Sequence, residues 1–157
     1  MGLLTALALI IFTVEAQLPP LVPIPGVKLG LANVITVYAM FCLGPRDTLM
    51  ILLCRVFLGS VFSGQMMTLA YSLSGGLLCY AVMLPLRKIV TDHQIWVCSV
   101  IGAIAHNVGQ MIAAVVIAQT VQLLMYLPVL LISGVIAGLI TGLAAQFTIE
   151  RLKKVMH

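Results

Sequence analysis

The chain has 157 residues, of which 62% are hydrophobic and 8% are charged, and its formal net charge is +4. An ordinary soluble domain is about 45–50% apolar and about 25% charged, so this chain has too few charges to cover a surface that faces water. The composition excludes a soluble fold. The 4 acidic residues are scattered along the chain, which also excludes a local multi-carboxylate metal site.

The cysteines and the basic residues do not indicate metal or nucleic-acid binding. Each cysteine lies singly in an apolar stretch, without a Cys-x-x-Cys pair, and we interpret all four as small core residues (Cys42, Cys54, Cys79 and Cys98). The basic residues form no stripe with aromatic neighbours, so membrane orientation explains the positive charge better than nucleic acid does. We expect no cofactor, no metal and no nucleic-acid partner.

The apolar stretches predict an all-α membrane bundle of six helices in a single domain that covers residues 1–157. A bilayer core about 30 Å thick needs about 20 helical residues. The first stretch has no basic start and no small-residue cleavage site, so we interpret it as a span of the mature protein rather than a signal peptide. In chain order the predicted spans are 2–18, 28–43, 47–62, 66–86, 94–118 and 121–150.

Turn and cap residues set the predicted ends of these spans. The first ends at a Pro-Pro pair and the second at Gly44-Pro45. Asp47 or Thr48 is the expected N-cap of the third, which ends in a small-residue turn at Ser63-Gly64. Pro128 is a candidate kink in the sixth span.

The distribution of basic residues predicts the orientation. With six spans both termini share a side, and that side carries six basic residues outside the spans, whereas the other side carries only Lys28. Both termini are therefore expected in the cytoplasm of a multi-pass cell-membrane protein. The six residues are Arg46, Arg87, Lys88, Arg151, Lys153 and Lys154.

The outer connection between the first two spans, residues 19–26, contains four prolines and no charge. We interpret it as a lid or re-entrant cap over the bundle, with a plain rigid connector as the alternative.

Arg55 is the one full charge expected near mid-membrane, because it lies eight residues beyond Asp47, about 12 Å along the helix. Such a charge needs a partner, water or a ligand. An internal ion pair that fixes helix packing is one interpretation. We favour the other, an anchor for an anionic or polar group of a solute, because the guanidinium fork matches carboxylate or phosphate.

The fifth span carries the polar run His106, Asn107 and Gln110, whose spacing places them in one sector of the helix. Packing residues satisfied inside the bundle are the alternative to our preferred interpretation, a polar cavity. A metal site is disfavoured because no second histidine or nearby carboxylate completes a ligand set.

Further polar residues lie near the outer ends of the first four spans. A pair of Glu15 and Lys28 at the membrane interface would explain both residues without any function. If the ends converge, the same residues line an outer mouth above Arg55 and the His106 group. This mouth would comprise Glu15, Gln17, Lys28, Asn33, Ser60, Ser63 and Gln65.

Small residues recur every four positions in three spans, a spacing that lets helices approach closely. For the fifth and sixth spans we expect packing within the bundle (Ala105, Gly109 and Ala113; Gly134, Gly138 and Gly142). For Gly2 and Ala6 in the first span, packing within the bundle and contact with an external partner helix are equally supported.

Three motifs carry a family resemblance over nearly the whole chain. The runs EAQLPPLVPIPGVKLGLANVITVYA, GPRDTLMILLCRVFLGS and AHNVGQM resemble the Gx transporter family, also called heptaprenyl diphosphate synthase component I. Members are similar to the substrate-binding (S) components of energy-coupling factor transporters. The resemblance implies a six-helix bundle that captures a micronutrient outside and works with a transmembrane coupling subunit and two cytoplasmic ATPases.

The resemblance assigns no substrate contacts. It implies that residues 19–26 form a lid and that small residues of the first helix, to which Gly2 and Ala6 correspond only loosely, contact the coupling subunit. The chain's residues at the motif positions are Glu15, Pro23, Pro25, Gly26, Lys28, Gly30, Asn33, Arg55, His106, Asn107 and Gln110.

The synthase part of the family name conflicts with the chemistry available. Prenyl chain elongation needs Mg²⁺ held by aspartate-rich motifs, and the chain has only Asp47 and Asp92, 45 positions apart. It also has no Walker motif. We therefore expect a non-enzymatic chain whose transport would be powered by another chain or by an ion gradient.

The sequence favours an S component that binds a small organic micronutrient or an isoprenoid or quinone-pathway precursor. The alternatives are a non-catalytic accessory subunit in prenyl diphosphate or quinone synthesis and a stand-alone secondary carrier. Membrane lipid surrounds the chain in each case. The candidate substrate-binding residues are Arg55, His106, Asn107, Gln110, Glu15, Lys28, Asn33 and Gln65.

Overall fold

The computed structural model describes residues 2–17, 30–64 and 66–156. In this part of the chain the backbone forms six α-helices and no strand, which confirms the predicted all-α fold. The predicted lid at 19–26, Lys28 and Gln65 lie outside the described residues. The helices are α1 (Gly2–Gln17), α2 (Asn33–Cys42), α3 (Pro45–Ser63), α4 (Met66–Ile89), α5 (Ile95–Ala118) and α6 (Leu127–Met156).

Within the described ranges, three segments are long and apolar enough to cross a membrane, namely Met66–Ile89, Ile95–Ala118 and Val121–Leu152. They form the main body of the bundle, in which α5 packs along both α4 and α6. The remaining helices add to this body: α3 contacts α1 and α4, and α2 contacts α3 and α6. The chain is an all-α membrane protein.

The third helix begins earlier than predicted. Pro45 is its first residue, and Gly44, with φ 111°, is the residue before it. Proline suits this position because the first helical N–H has no partner within the helix. Asp47 and Thr48 therefore lie inside the first turn, and the predicted N-cap at one of them is wrong; Thr48 Oγ1 donates to the Gly44 carbonyl over 2.8 Å.

The second helix is shorter than its predicted span. It has 10 residues, about 15 Å of α-helix, and begins only at Asn33. The preceding residues form a turn in which Gly30 has φ 82° and its carbonyl accepts a 2.9 Å hydrogen bond from the Asn33 N–H. A left-handed Gly30 explains why the α-helix does not extend further toward residue 28.

The sixth span divides into two elements. A 3₁₀ segment covers Val121–Tyr126, and α6 follows from Leu127. Pro128 therefore lies in the first turn of α6, where a missing N–H removes no helical hydrogen bond, and the predicted kink is wrong. A proline does lie inside a helix at Pro85 of α4, which continues past it to Ile89.

Small residues allow the close contact of α5 with its neighbours, as predicted. A Cβ atom at Gly138 would lie 2.7 Å from Val100 Cα, and one at Gly142 would lie 2.7 Å from Trp96 Cα. On the α4 side, a Cβ atom at Gly109 would lie 2.8 Å from the Ser74 carbonyl oxygen. Larger residues would force these backbones apart.

The prediction that all four cysteines are small core residues is correct for two of them. Cys79 and Cys98 are buried in a core with Met40, Met83 and Ile149. Cys42 and Cys54 are exposed on the outside of the bundle, where lipid tolerates a weakly polar thiol.

Candidate functional site

A polar cavity lies inside the bundle, where α1, α3, α4, α5 and the turn before α2 meet. It contains about 240 Å³ of space between the atoms, including its open mouth, and its interior has room for about one water molecule. The lining residues come from distant parts of the sequence. They are Phe12, Glu15, Gly30, Ala32, Arg55, Ser72, His106 and Gln110.

Arg55 is placed in the cavity wall by the middle of α3. It lies ten residues after the first residue of the helix, about 15 Å along its axis, and is only 3% exposed. Its Nη2 donates to Asn33 Oδ1 over 3.4 Å, a long hydrogen bond. Arg55 Nε has no hydrogen-bond acceptor among the described residues.

Glu15 supplies the negative charge of the same wall. It lies near the end of α1, is 5% exposed, and accepts a hydrogen bond from the Gly30 backbone N–H. Its carboxylate attracts the Arg55 guanidinium electrostatically. Opposite charges that are buried within a membrane bundle stabilise each other, so the positions of Glu15 and Arg55 depend on both α1 and α3.

His106 and Gln110 occupy adjacent turns of α5, and their side chains meet. Gln110 Nε2 lies 2.9 Å from His106 Nε2. Gly75 of α4 makes room for this pair, because a Cβ atom there would lie 2.8 Å from both Gln110 Cγ and the His106 carbonyl oxygen. The close α4–α5 contact therefore sets the position of both polar groups at the cavity.

Asn107 has a different environment from its neighbours on α5. Its Nδ2 donates to the Leu130 carbonyl of α6 over 2.5 Å, and a Cβ atom at Gly134 would lie 2.6 Å from the same Nδ2. Asn107 thus joins α5 to α6 rather than lining the cavity.

The structure brings together most of the described residues that the sequence nominated. Four of them line the cavity, namely Glu15, Arg55, His106 and Gln110. Asn33 does not line it but accepts a hydrogen bond from Arg55, which does. Ser60 is buried but donates to its own helix at Phe57. Lys28 and Gln65 lie outside the described residues.

Three lining residues, Ala32 among them, were not identified from the sequence. Ser72 and Phe12 contribute a hydroxyl and an aromatic ring to the wall. A serine or a phenylalanine in an apolar helix carries little signal by itself, because both are common in such helices. Among the described residues, no group of three His, Cys, Asp or Glu side chains could hold a metal ion.

The family model for heptaprenyl diphosphate synthase component I matches residues 4–148. No curated protein and no solved structure matches the chain. The match includes every lining residue of the cavity. This chain is therefore a membrane protein that belongs to the heptaprenyl diphosphate synthase component I family.

Proposed function

We propose that the chain binds a small organic solute from the outer side of the cell membrane and acts as the S component of an energy-coupling factor importer. The solute is a micronutrient or an isoprenoid or quinone-pathway precursor. The observation that supports this proposal is the polar cavity, in which the charged side chains of Glu15 and Arg55 are buried inside the bundle.

The buried polar groups of the cavity are better explained by solute binding than by helix packing alone. A buried guanidinium that serves only to pack helices is expected to have all its donors satisfied, because an unpaired buried donor costs about 1–3 kcal/mol. Arg55 Nε and Asn33 Nδ2 have no acceptor among the described residues. A solute that supplies acceptors would satisfy both. Since the interior holds only about one water, the walls must move apart for a larger solute to enter.

The partners follow from the absence of a nucleotide motif in the sequence. Without a Walker motif, the chain needs a transmembrane coupling subunit and cytoplasmic ATPases to use ATP. We expect α1 to contact such a subunit, because Gly2 and Ala6 are exposed and a Cβ atom at Gly2 would meet nothing within 4 Å.

We propose a multi-pass topology of six spans with both termini in the cytoplasm. The support is the distribution of basic residues along the sequence. Arg87 and Lys88 lie in the last turn of α4, and Arg151 lies near the end of α6, all on the side assigned to the cytoplasm.

A second candidate is a non-catalytic accessory subunit in prenyl diphosphate or quinone synthesis, which the description of the family favours. The chain lacks the aspartates that prenyl elongation requires, so a separate synthase would have to perform the chemistry.

Purification of the tagged chain from native membranes in mild detergent tests these proposals. Co-purifying ATPase subunits and a retained solute, identified by mass spectrometry, support the importer. A co-purifying soluble prenyl synthase without ATPases supports the accessory subunit. Solute uptake by the chain alone in liposomes would contradict both and indicate a secondary carrier.

A further inference from the structure

The cavity wall is close to electrically neutral in the described part of the chain. Arg55 contributes one positive charge and Glu15 one negative charge. The remaining polar groups of the wall add no charge: Gln110 Nε2 can only donate, so the His106 Nε2 that faces it accepts, as a neutral imidazole does. Ser72 is uncharged as well.

The unused hydrogen-bonding groups near the cavity are donors. Arg55 Nε, Asn33 Nδ2 and His106 Nδ1, which carries the proton when Nε2 accepts, lack acceptors among the described residues. All three residues are buried, with only 3–4% of their surface exposed. A bound molecule must therefore present an acceptor to this side of the cavity. A carboxylate or a carbonyl oxygen meets that requirement.

Glu15 restricts the rest of the molecule. An anion placed beside Arg55 would also face the Glu15 carboxylate across a narrow, poorly hydrated space. Like charges in such a space repel strongly, so an added anionic group needs a positive group to accompany it. A diphosphate brings several negative charges, and the described wall has one guanidinium that already attracts Glu15.

Resting on the proposed function, we propose that this cavity binds a small solute with no net charge, in which a carboxylate meets Arg55 and a protonated nitrogen meets Glu15. The solute class is an amino-acid-like zwitterion. The described wall holds no second positive group that could accompany a diphosphate, so we expect diphosphates, and therefore prenyl diphosphates, not to bind there.

Thermal unfolding of the intact chain in mild detergent tests this with four small probes. β-Alanine, propionate and propylamine share a three-carbon size and differ in charge, and inorganic pyrophosphate represents the diphosphates. β-Alanine is expected to raise Tm in a saturable manner, by about 3–5 °C at ten times its Kd. Propionate and propylamine are expected to give smaller shifts and pyrophosphate none.

The Glu15→Gln variant sharpens the test because it removes the negative charge and keeps the shape. In this variant propionate is expected to raise Tm more than β-alanine does, which is the reverse of their order in the parent chain. Glu150→Gln is the matched control, since it makes the same chemical change at a residue of α6 that pairs with His93 outside the cavity. The control is expected to keep the parent's order of probes.

The outcomes separate this inference from the proposed function. If pyrophosphate or propionate stabilises the parent chain more than β-alanine does, the solute class is wrong while solute binding stands. If none of the four probes stabilises the parent chain, the solute class is wrong. If, in addition, no solute is retained on purification, the proposed function is wrong as well.

Discussion

The Gly30 backbone N–H donates a hydrogen bond to the Glu15 carboxylate and so joins the end of α1 to the turn before α2. Gly30 can occupy this position because it has φ 82° and no side chain. A Cβ atom there would lie 3.0 Å from Asn33 Nδ2 and 3.2 Å from His106 Cδ2. One glycine therefore holds the carboxylate and leaves room for two other polar groups of the site.

Replacement of Gly30 by alanine is expected to destabilise the bundle and weaken solute binding. A non-glycine residue at positive φ costs about 1–3 kcal/mol, and the added methyl also crowds Asn33 and His106. Gly64→Ala is the matched control, because Gly64 has φ 65° but open space around its Cβ position. Gly30→Ala should lower both the unfolding temperature and the amount of retained solute. Gly64→Ala should lower the unfolding temperature without loss of solute.

Arg55 and Glu15 are expected to behave as one unit. Arg55→Met leaves the buried Glu15 without its positive neighbour, and removal of one partner of a buried pair costs about 3–5 kcal/mol. Adding Glu15→Gln removes the uncompensated charge, so the double variant should recover part of that loss. A double-mutant cycle from unfolding in detergent should give a coupling of about 1–3 kcal/mol. Additive losses would show that the two charges are independent.

The sequence predicted the fold and much of the cavity because charges are rare in apolar helices. Glu15, Arg55 and His106 are conspicuous against their neighbours, and the structure brings them together. The predicted start of α3 and the predicted kink at Pro128 were wrong because Pro45 and Pro128 each lie in the first turn of a helix. A hydropathy pattern does not show where a first turn falls.

Asn107 shows that the spacing of polar residues along a helix does not identify which of them line the cavity. Residues 106, 107 and 110 share a broad sector of α5, but α4 and α6 contact different edges of that sector. Only the positions of the neighbouring helices decide that His106 meets the cavity and Asn107 meets Leu130. The role of Gly75 likewise depends on an interhelical distance that no sequence pattern gives.

Asn107→Ala and Gln110→Ala are therefore expected to have different effects. Asn107→Ala removes the hydrogen bond to α6 and should lower stability by about 1–2 kcal/mol, without loss of solute from the folded protein. Gln110→Ala removes a lining amide and the contact with His106, so it should reduce the retained solute. Mass spectrometry of the solute, normalised to folded protein, distinguishes the two. Equal solute loss in both variants would place Asn107 in the site.

The proposed topology predicts opposite accessibility for two loops. In a chain with Cys42, Cys54, Cys79 and Cys98 replaced, a cysteine at Val22 should react with a membrane-impermeant thiol reagent added outside intact cells. A cysteine at Thr91 should react only after the membrane is opened. The reverse pattern would invert the orientation and with it the outward-facing cavity.

The exposed face of α1 is expected to dock the coupling subunit. Gly2 and Ala6 are both exposed and one turn apart, so a partner helix could approach their backbone closely. Replacement of both by leucine adds bulk on this face without touching the cavity wall, so pull-down of the coupling subunit should be lost while solute is retained. Ala144→Leu adds the same kind of bulk to an exposed position of α6 and serves as the control. If pull-down survives in the α1 variant, or is lost in the α6 control, the docking surface lies on another helix.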